Sequence, residues 1–378
     1  MSPEERVEKG GVVVMPRAIG RGPRYVKSSR SVLDVPILET ALAIRPETLL
    51  HPRPEGLYCP PGDFYIDPLR PVARALITHA HSDHARAGHG HVLATRETLD
   101  IMRIRLGDGF CGSEQAMPFG GSLTHGGVRV GFHPAGHVLG SAQIELEWQG
   151  CRIVVSGDYK RRTDPTAEPF ALRRCDVFVT EATFGLPVFR HPDARDEAGR
   201  LLASLARFPE RTHLIGAYSL GKAQRMIRLL RECGHDAPIL LHGALEKVTQ
   251  YYETRGIALG PLEPVAGRKA QDLAGRIVLC PPSALADRWS RRFPDPVTAV
   301  ASGWMRIRAR ARQRGAEIPM VISDHADWRE LQQTILETGA SEIWVTHGQE
   351  DALVHWCQQR GLAARPLRLV GYGDEEAA

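Results

Sequence analysis

The sequence lacks the features of a membrane-spanning or secreted protein. No apolar run approaches the 18 residues that a membrane helix requires. The first five residues, Met-Ser-Pro-Glu-Glu, are typical of neither a signal peptide nor a lipidation site. Seven scattered cysteines without a Cys-x-x-Cys pair predict free thiols, not a disulfide framework or a zinc ribbon. We therefore expect a cytoplasmic protein, with association with the nucleoid as an option and with no membrane partner.

The chain also lacks the composition of a disordered protein. Its 378 residues are 43% hydrophobic and 24% charged, which is close to the average for globular proteins. This length suggests two domains, or one large domain that carries an insertion.

A net charge of +4 hides an uneven distribution of basic residues. Residues 1–184 hold 22 basic and 21 acidic residues, residues 185–320 hold 22 and 13, and residues 321–378 hold 4 and 10. In the middle block 19 of the 22 cations are arginine, whose guanidinium group binds phosphate in a bidentate manner. A GC-rich genome would explain arginine over lysine but not the local excess, so the block favours a polyanionic partner.

Residues 1–43 are predicted to be a basic, flexible extension. A stretch without acidic residues carries Arg17, Arg21, Arg24, Lys27 and Arg30, and glycines and prolines interrupt it. Such a composition is typical of a mobile, solubilising tail, with weak contacts to nucleic acid as the alternative role.

From about residue 44, short apolar runs end at chemically active side chains. Strand patterns lead to Asp67, His79, His133 and His137, Asp158, Glu181, His325 and His347. Helical spacing recurs at residues 95–106, 194–206, 221–233 and 327–338. The interleaved strands and helices predict an α/β or α+β fold, and strand ends can bring several of these side chains to one rim of a sheet.

The segment Thr78–His84 offers four potential metal ligands within six residues. In an extended loop, residues i and i+2 point the same way, so His79 and His81 can bind one metal ion. Asp83 and His84 then turn toward a second position, where we expect the chain to enter a helix. Imidazole and carboxylate groups suit Zn²⁺, Mn²⁺ or Fe²⁺. A polar surface loop is the alternative, but this spacing directly after a strand favours a metal site.

This His-x-His-x-Asp-His motif resembles the signature of the metallo-β-lactamase superfamily. Asp67 resembles its first motif, which precedes the signature, and His137 and Asp158 resemble the third and fourth motifs, which follow it. The resemblance implies an αββα sandwich that binds two divalent metal ions, Zn²⁺ or Mn²⁺, with Asp67 orienting the ligands. The implied ligands are His79, His81, His137 and Asp158 for the first metal, and Asp83, His84 and the bridging Asp158 for the second.

Three later segments are similar to motifs of the β-CASP branch of this superfamily, whose members are nucleases. They are Thr180–Gly185, Ser323–Asp327 and Thr346–Glu350. The resemblance implies that His347 completes the second metal site. It also implies that His325 protonates the leaving oxygen and that Glu181 orients His325.

The interval between Glu181 and His325 would then be an inserted α/β cap, and it coincides with the basic block. The implied organisation is a metallo-β-lactamase domain in two parts, residues 44–184 and 321–378, with residues 185–320 as the cap.

Two features of the cap are candidate phosphate-binding elements. Ser219–Gln224 is similar to the start of a cap helix, where Ser219 and Lys222 would hold a substrate phosphate. An ordinary helix capped by Ser219 is the alternative. Arginines recur at every second position: Arg306, Arg308, Arg310, Arg312 and Arg314. An extended segment would place them on one face, whereas a helix would spread them into a general basic surface.

Within the β-CASP branch, three segments are similar to the ligase-associated DNA-damage-response exonucleases of bacteria. They are Glu55–Asp63, Ala301–Met305 and Ile322–Trp328. The resemblance implies a 5′-to-3′ exonuclease on single-stranded DNA in repair, functionally associated with an ATP-dependent DNA ligase and a helicase.

Three alternatives remain open for the function. A β-CASP ribonuclease in RNA processing is favoured by His347, because eukaryotic DNA-acting members often carry valine at that motif. A small-molecule hydrolase of the glyoxalase type shares the histidine motif, but it does not predict the cap, Glu181, His325 or the basic block. A non-enzymatic scaffold would be expected to have lost ligands, and the sequence retains them all.

Overall fold

The computed structural model describes residues 44–369, and the predicted basic extension lies outside the described residues. This part of the chain contains three β-sheets. No helix within it combines the length and hydropathy of a transmembrane segment. All seven cysteines are free, as the sequence predicts.

The first sheet has six strands in sequence order. They are β1 (His51–Arg53), β2 (Gly56–Cys59), β3 (Phe64–Ile66), β4 (Arg74–Leu76), β5 (His89–Ala94) and β6 (Cys111–Ala116). The pairs β1–β2 and β2–β3 are antiparallel, and the remaining pairs are parallel. Helix α1 (Arg96–Leu106) connects β5 to β6, and its N-cap is Thr95, whose hydroxyl accepts a hydrogen bond from the Thr98 amide.

The second sheet begins with five strands that follow one another along the chain. They are β7 (Ser122–His125), β8 (Val128–Pro134), β9 (Ala142–Trp148), β10 (Cys151–Val155) and β11 (Val177–Ala182). The pairs from β7 to β10 are antiparallel, and β11 lies parallel to β10.

The third sheet and its helices lie wholly within the predicted cap. In chain order the elements are α2 (Ala194–Arg207), β12 (His213–Gly216), α3 (Lys222–Glu232), β13 (Ile239–Leu241), α4 (Gly243–Thr254), β14 (Leu262–Pro264), β15 (Ile277–Cys280), β16 (Val297–Ala301), α5 (Arg308–Gln313) and β17 (Ile318–Met320). The strand order is β14-β13-β15-β12-β16-β17, and all pairs are parallel. Short 3-10 helices lie at Pro46–Thr48, Ala270–Asp272, Pro282–Ala286, Arg288–Arg292 and Gly303–Arg306.

After the cap, the chain returns to the second sheet. The last elements are α6 (Trp328–Thr338), β18 (Glu342–Gly348), α7 (Glu350–Gln358) and β19 (Ala363–Pro366). Strand β18 lies parallel to β11, and β19 lies parallel to β18. This sheet is therefore built from strands that lie on both sides of the cap in the sequence.

Hydrophobic side chains divide these elements into four layers. Leu57 and Phe64 of the first sheet pack against Ile144 and Trp344 of the second. Helices α6 and α7 cover the outer face of the second sheet. Helix α1 covers the outer face of the first sheet and shares one continuous core with the cap. Each side chain fully buried in this way contributes about 1.5–3 kcal/mol. The arrangement confirms the predicted αββα sandwich with an additional α/β unit.

Two local predictions are wrong. The chain makes one turn after His81, with Ala85 N donating to His81 O, but it does not continue as a helix, because Gly88 adopts a positive φ of 94° before β5 begins. The strand predicted to lead to His325 lies further back, at Ile318–Met320, on the edge of the cap sheet. An edge position tolerates Pro319, which has no amide hydrogen to donate.

Candidate metal centre

The ends of strands from both sheets of the sandwich meet at one rim. The loop after β4 carries His79 to His84, the loop after β8 carries His137, and Asp158 follows β10. Glu181 lies in β11 at an irregularity in its register with β18, which carries His347. Bulges of this kind redirect a side chain out of the regular ladder.

The structure brings together the four side chains predicted as the first ligand group. The Nε2 atoms of His79 and His137 lie 3.1 and 2.9 Å from Nδ1 of His81. They lie 3.4 and 3.8 Å from Oδ2 of Asp158. All four ligand atoms lie within 4.8 Å of one another. Imidazole nitrogens and a carboxylate at this spacing form a donor set that suits a divalent cation.

The second predicted group lies beside the first. Nε2 of His347 is 3.2 Å from Oδ2 of Asp83. Nε2 of His84 is 3.7 Å from the same Asp83 atom and 3.4 Å from Oδ2 of Asp158. Asp158 therefore reaches both groups, which is the position required of a bridging carboxylate.

Asp67 supports both groups from behind. Its carboxylate accepts hydrogen bonds from the Thr78 amide at 2.8 Å and from the Thr78 hydroxyl at 2.6 Å, and it lies 2.7 Å from Nδ1 of His84. The Thr78 hydroxyl in turn lies 3.0 Å from Nδ1 of His79. These contacts fix which nitrogen of each ring faces the centre. Asp67 and His347 also hold left-handed backbone conformations, with φ of 44° and 62°, a strain that often accompanies functional sites.

Backbone carbonyl groups support the other two histidines. Nε2 of His81 lies 3.2 Å from the carbonyl oxygen of Leu220, in the cap. Nδ1 of His137 lies 2.9 Å from the carbonyl oxygen of Asp324. Each ring thus has one nitrogen on a carbonyl and the other directed at the ligand group, an arrangement typical of metal-binding histidines.

Buried carboxylate oxygens provide a test of whether a cation fits. Oδ1 of Asp83 and Oδ1 of Asp158 are buried and have no hydrogen-bond partner among residues 44–369. Burial lowers the pKa of His79 and His137, so both rings are neutral and can present a lone pair. Burial alone would raise the pKa of Asp83, but His84 and His347 lower it to about 2. Ionised oxygens without a hydrogen-bond partner, beside the neutral imidazoles of His79 and His137, fit a divalent cation in the first group. Burial alone would lower the pKa of His84, but Asp158, Asp83 and Asp67 raise it well above its usual value, so the second group holds an excess of negative charge that also suits a cation.

The third group joins Glu181 and His325. Nδ1 of His325 lies 2.9 Å from Oε2 of Glu181, whose other oxygen accepts a hydrogen bond from the Tyr159 amide at 2.7 Å. The His325 ring is 4.7 Å from the His137 ring, measured between centroids. His325 therefore lies at the edge of the first ligand group, with a carboxylate that fixes its orientation.

The two predicted phosphate-binding elements of the cap differ in outcome. Helix α3 begins at Lys222, and its N-cap is Gly221, with a φ of 85°. The interpretation of Ser219 as N-cap is therefore wrong, because the chain needs a left-handed residue at this entry and Ser219 lies two residues earlier. Lys222 is 1% exposed and lines the same cavity as the candidate metal ligands.

The arginine-rich segment is helical, so the extended comb is excluded. It comprises the 3-10 helix Gly303–Arg306 and α5. Arg306, Arg308 and Arg312 are exposed. Arg310 lies over the Trp304 ring at 3.8 Å, and Trp304 contacts Phe184, which contacts His325. The segment thus forms a general basic surface. The rings of Trp304 and Phe184 connect it to His325.

Several residues that line the same cavity were not among the predicted site residues. They include Thr183, Tyr218, Leu220 and Asp324. Lys222 Nζ lies 4.9 Å from the centre of the Tyr218 ring. The Tyr218 ring is an aromatic surface in the cavity that the candidate ligands line. The position of Tyr218 directly before Ser219 is a signal, but one sequence alone does not separate it from a core aromatic residue.

Comparison with curated proteins finds relatives that are named as enzymes acting on nucleic acids. No protein-family model matches the chain. It is 32% identical over 321 residues to a probable DNA ligase of Opitutus terrae, which covers 82% of this chain and 30% of that protein. It is 27% identical to the endoribonuclease ysh1 of Emericella nidulans over 54% of this chain and 26% of that one. It is 30% identical to a ribonuclease of Thermus thermophilus over 46% of each chain. The chain thus spans less than half the length of these relatives.

A solved structure shares the fold. The crystal structure of a protein of unknown function from Enterococcus faecalis V583 superposes with a TM-score of 0.54 and 13% sequence identity, covering 77% of this chain and 78% of that one.

Proposed function

This chain belongs to the β-CASP branch of the metallo-β-lactamase superfamily, and on that premise we propose that it is a metal-dependent nuclease. The proposed substrate is DNA, degraded as a single strand by a 5′-to-3′ exonuclease that acts in repair. The observation that carries the nuclease proposal is the convergence of two ligand groups and the His325–Glu181 pair on Asp158. The match to a probable DNA ligase over 82% of the chain supports DNA and an association with ligation.

The chemistry divides between the metal ions and the protein. Two divalent cations at these ligands would supply Lewis acidity to the scissile phosphate and lower the pKa of water. His325 donates a proton to the departing oxygen, since it lies beside the first ligand group and is hydrogen-bonded to Glu181. Glu181 holds the ring in place and stabilises its protonated form. Asp67 and Thr78 keep His79 and His84 aligned as charge develops on the phosphate.

The cap supplies the groups that would hold the strand. Lys222 places a positive charge at the cavity wall, and the Tyr218 ring offers a surface on which a base can stack. The exposed arginines of α5 extend this basic surface for the phosphate backbone. None of these groups identifies a base, so we expect degradation without sequence preference.

A ribonuclease is the second candidate, and two observations favour it. His347 lies in the second ligand group, 3.2 Å from Asp83. Two of the relatives are named as ribonucleases, from Emericella nidulans and Thermus thermophilus. Both candidates use the same site, so substrate preference alone separates them.

The deciding experiment offers the full-length protein matched substrates. Single-stranded DNA, duplex DNA and RNA of one sequence, each labelled at the 5′ or the 3′ end, are incubated with Zn²⁺ or Mn²⁺. We expect single-stranded DNA to release labelled mononucleotides first from its 5′ end. Preferential cleavage of RNA would replace the DNA proposal with the second candidate, and internal fragments would exclude an exonuclease.

Metal removal is expected to abolish activity reversibly. Dialysis against a chelator should remove two equivalents of protein-bound metal, because two ligand groups are present. Elemental analysis before and after dialysis measures the loss, and activity should return on addition of Mn²⁺ or Zn²⁺ but not of Na⁺. Undiminished activity in metal-free protein would contradict a metal-dependent mechanism.

The exposed arginines of the segment 303–313 are expected to control affinity rather than chemistry. Changing Arg306, Arg308 and Arg312 together to alanine should raise KM and leave kcat nearly unchanged. The slope of log affinity against log salt should fall by about 2, since each lost phosphate contact on a single strand removes roughly 0.7. A triple substitution at Arg70, Arg174 and Arg329, which are exposed on the sandwich, removes the same charge as a control. Equal effects of both triples would show that only net charge matters.

A further inference from the structure

The start of helix α3 in the cap contacts one candidate metal ligand, His81, and a backbone carbonyl outside the cap supports another, His137. The residue that precedes its N-cap, Leu220, places its carbonyl oxygen 3.2 Å from Nε2 of His81. The carbonyl oxygen of Asp324 lies 2.9 Å from Nδ1 of His137. The first support belongs to the start of α3, so the position of this helix directly affects the orientation of His81.

Arg225 extends the influence of α3 to the second support. Its Nη1 donates hydrogen bonds to the carbonyl oxygen of Ser323 and, at 3.0 Å, to Oδ1 of Asp324. Its Nε lies 3.5 Å from Oδ2 of Asp164. Arg225 is 5% exposed, so these bonds form away from water. A planar guanidinium thus joins the cap to both residues that precede His325.

Buried charges surround this arginine. Lys160 contacts Asp164, and Lys222 Nζ lies 3.5 Å from Oδ2 of Asp324. Burial alone would raise the pKa of Asp324, but Lys222, Lys160 and Arg225 hold it well below its usual value. Both carboxylates therefore stay ionised and bind their cations firmly. Breaking one side of such a buried network is costly, because it leaves the other charge unpaired.

We propose that Arg225 is a positioning residue, which acts from the cap to hold the 323–325 segment and so orients His137 for metal binding. The inference rests on the proposed metal site. In consequence, the first metal site reaches its full affinity only when α3 is docked on the sandwich. The same contact fixes the backbone from which His325 extends, because His325 N donates to the Ser323 hydroxyl at 3.0 Å.

The first test measures metal affinity rather than activity. Full-length protein is stripped of metal and titrated with Zn²⁺ against a chromophoric chelator, and the visible spectrum of the Co²⁺ form is recorded. Arg225→Ala should weaken zinc binding at the first metal site, one of the two phases of the titration, by about 10–100-fold, the usual effect of losing a group that orients a ligand. It should also change the Co²⁺ spectrum, which a general loss of stability would not do in folded protein.

Matched variants make the test specific. Arg228→Ala removes an arginine one turn along α3, whose contacts are with Ala258 O and Glu232 and not with the metal centre. It should leave zinc affinity and the spectrum unchanged. Arg225→Lys keeps the buried charge without the fork and should restore part of the affinity. If the alanine variant does not fold, Arg225→Lys tests the proposal by itself. A zinc affinity and a Co²⁺ spectrum equal to those of the wild-type protein would then overturn it.

The outcomes separate this inference from the proposed function. Wild-type zinc affinity in folded Arg225→Ala, or an equal loss in Arg228→Ala, would overturn the positioning role whatever the nuclease assays show. A weakened site in Arg225→Ala supports the role even if the wild-type protein cleaves neither DNA nor RNA, an outcome that would remove the proposed function alone.

Discussion

Changing Asp158 to alanine is expected to lower nuclease activity by at least about 10³-fold, equivalent to the several kcal/mol that metal ions contribute to such reactions. Asp158 is the one predicted ligand that reaches both groups, since its Oδ2 lies 3.4 Å from Nε2 of both His79 and His84. Its loss therefore weakens both metal sites together. Steady-state cleavage of end-labelled DNA and metal analysis of the same preparation measure the two effects.

Two further variants control this result. Asp158→Asn keeps the size of the side chain and removes its charge, so it should lose nearly as much activity as alanine. Asp108→Ala removes an aspartate whose side chain is 95% exposed, and it should behave as wild type. Full activity of Asp158→Ala with both metals retained would refute the dinuclear mechanism.

Changing His325 to alanine is expected to lower kcat by about 10²–10⁴-fold, the range for loss of a general acid. His325 belongs to neither of the two main ligand groups, so two equivalents of metal should remain bound. Glu181→Gln should act in the same direction and more weakly, because the ring stays in place but loses the 2.9 Å contact with a carboxylate.

The choice of leaving group tests the role directly. A p-nitrophenyl ester of thymidine 5′-phosphate releases an anion that needs no proton, so His325→Ala should cleave it nearly as fast as wild type does. Loss of one metal ion from His325→Ala would instead assign this histidine to a metal site. An equal loss of rate on both substrates would exclude its role as general acid.

Sequence periodicity was sufficient to predict the positions of the long helices α2 and α6. The helical spacing at 194–206 and 327–338 lies within two residues of α2 and α6. Side-chain types were sufficient to select the ligand candidates, because His79, His81, Asp83 and His84 follow a strand directly. Both kinds of signal reside in side chains, and both are local.

Features that depend on backbone conformation or on distant contacts could not be predicted in this way. The supports of His81 and His137 are carbonyl oxygens, which any residue provides. Arg225 is one of 19 cap arginines in the sequence, and only the fold reveals that it contacts Asp324. Gly221 serves as the N-cap of α3 through its φ of 85°. Residue type alone favours Ser219, two residues earlier, as the N-cap.

The adjacency of β11 and β18 has a consequence for how the protein folds. These paired strands are separated by about 160 residues of chain, and closing a loop of that length costs roughly 4–5 kcal/mol of entropy if the intervening chain is unfolded. A cap that has already formed its parallel sheet brings its two ends close together and removes most of this cost. We therefore expect pairing of β11 with β18 to be a late event in folding, and the candidate metal centre, which includes His347, to assemble last.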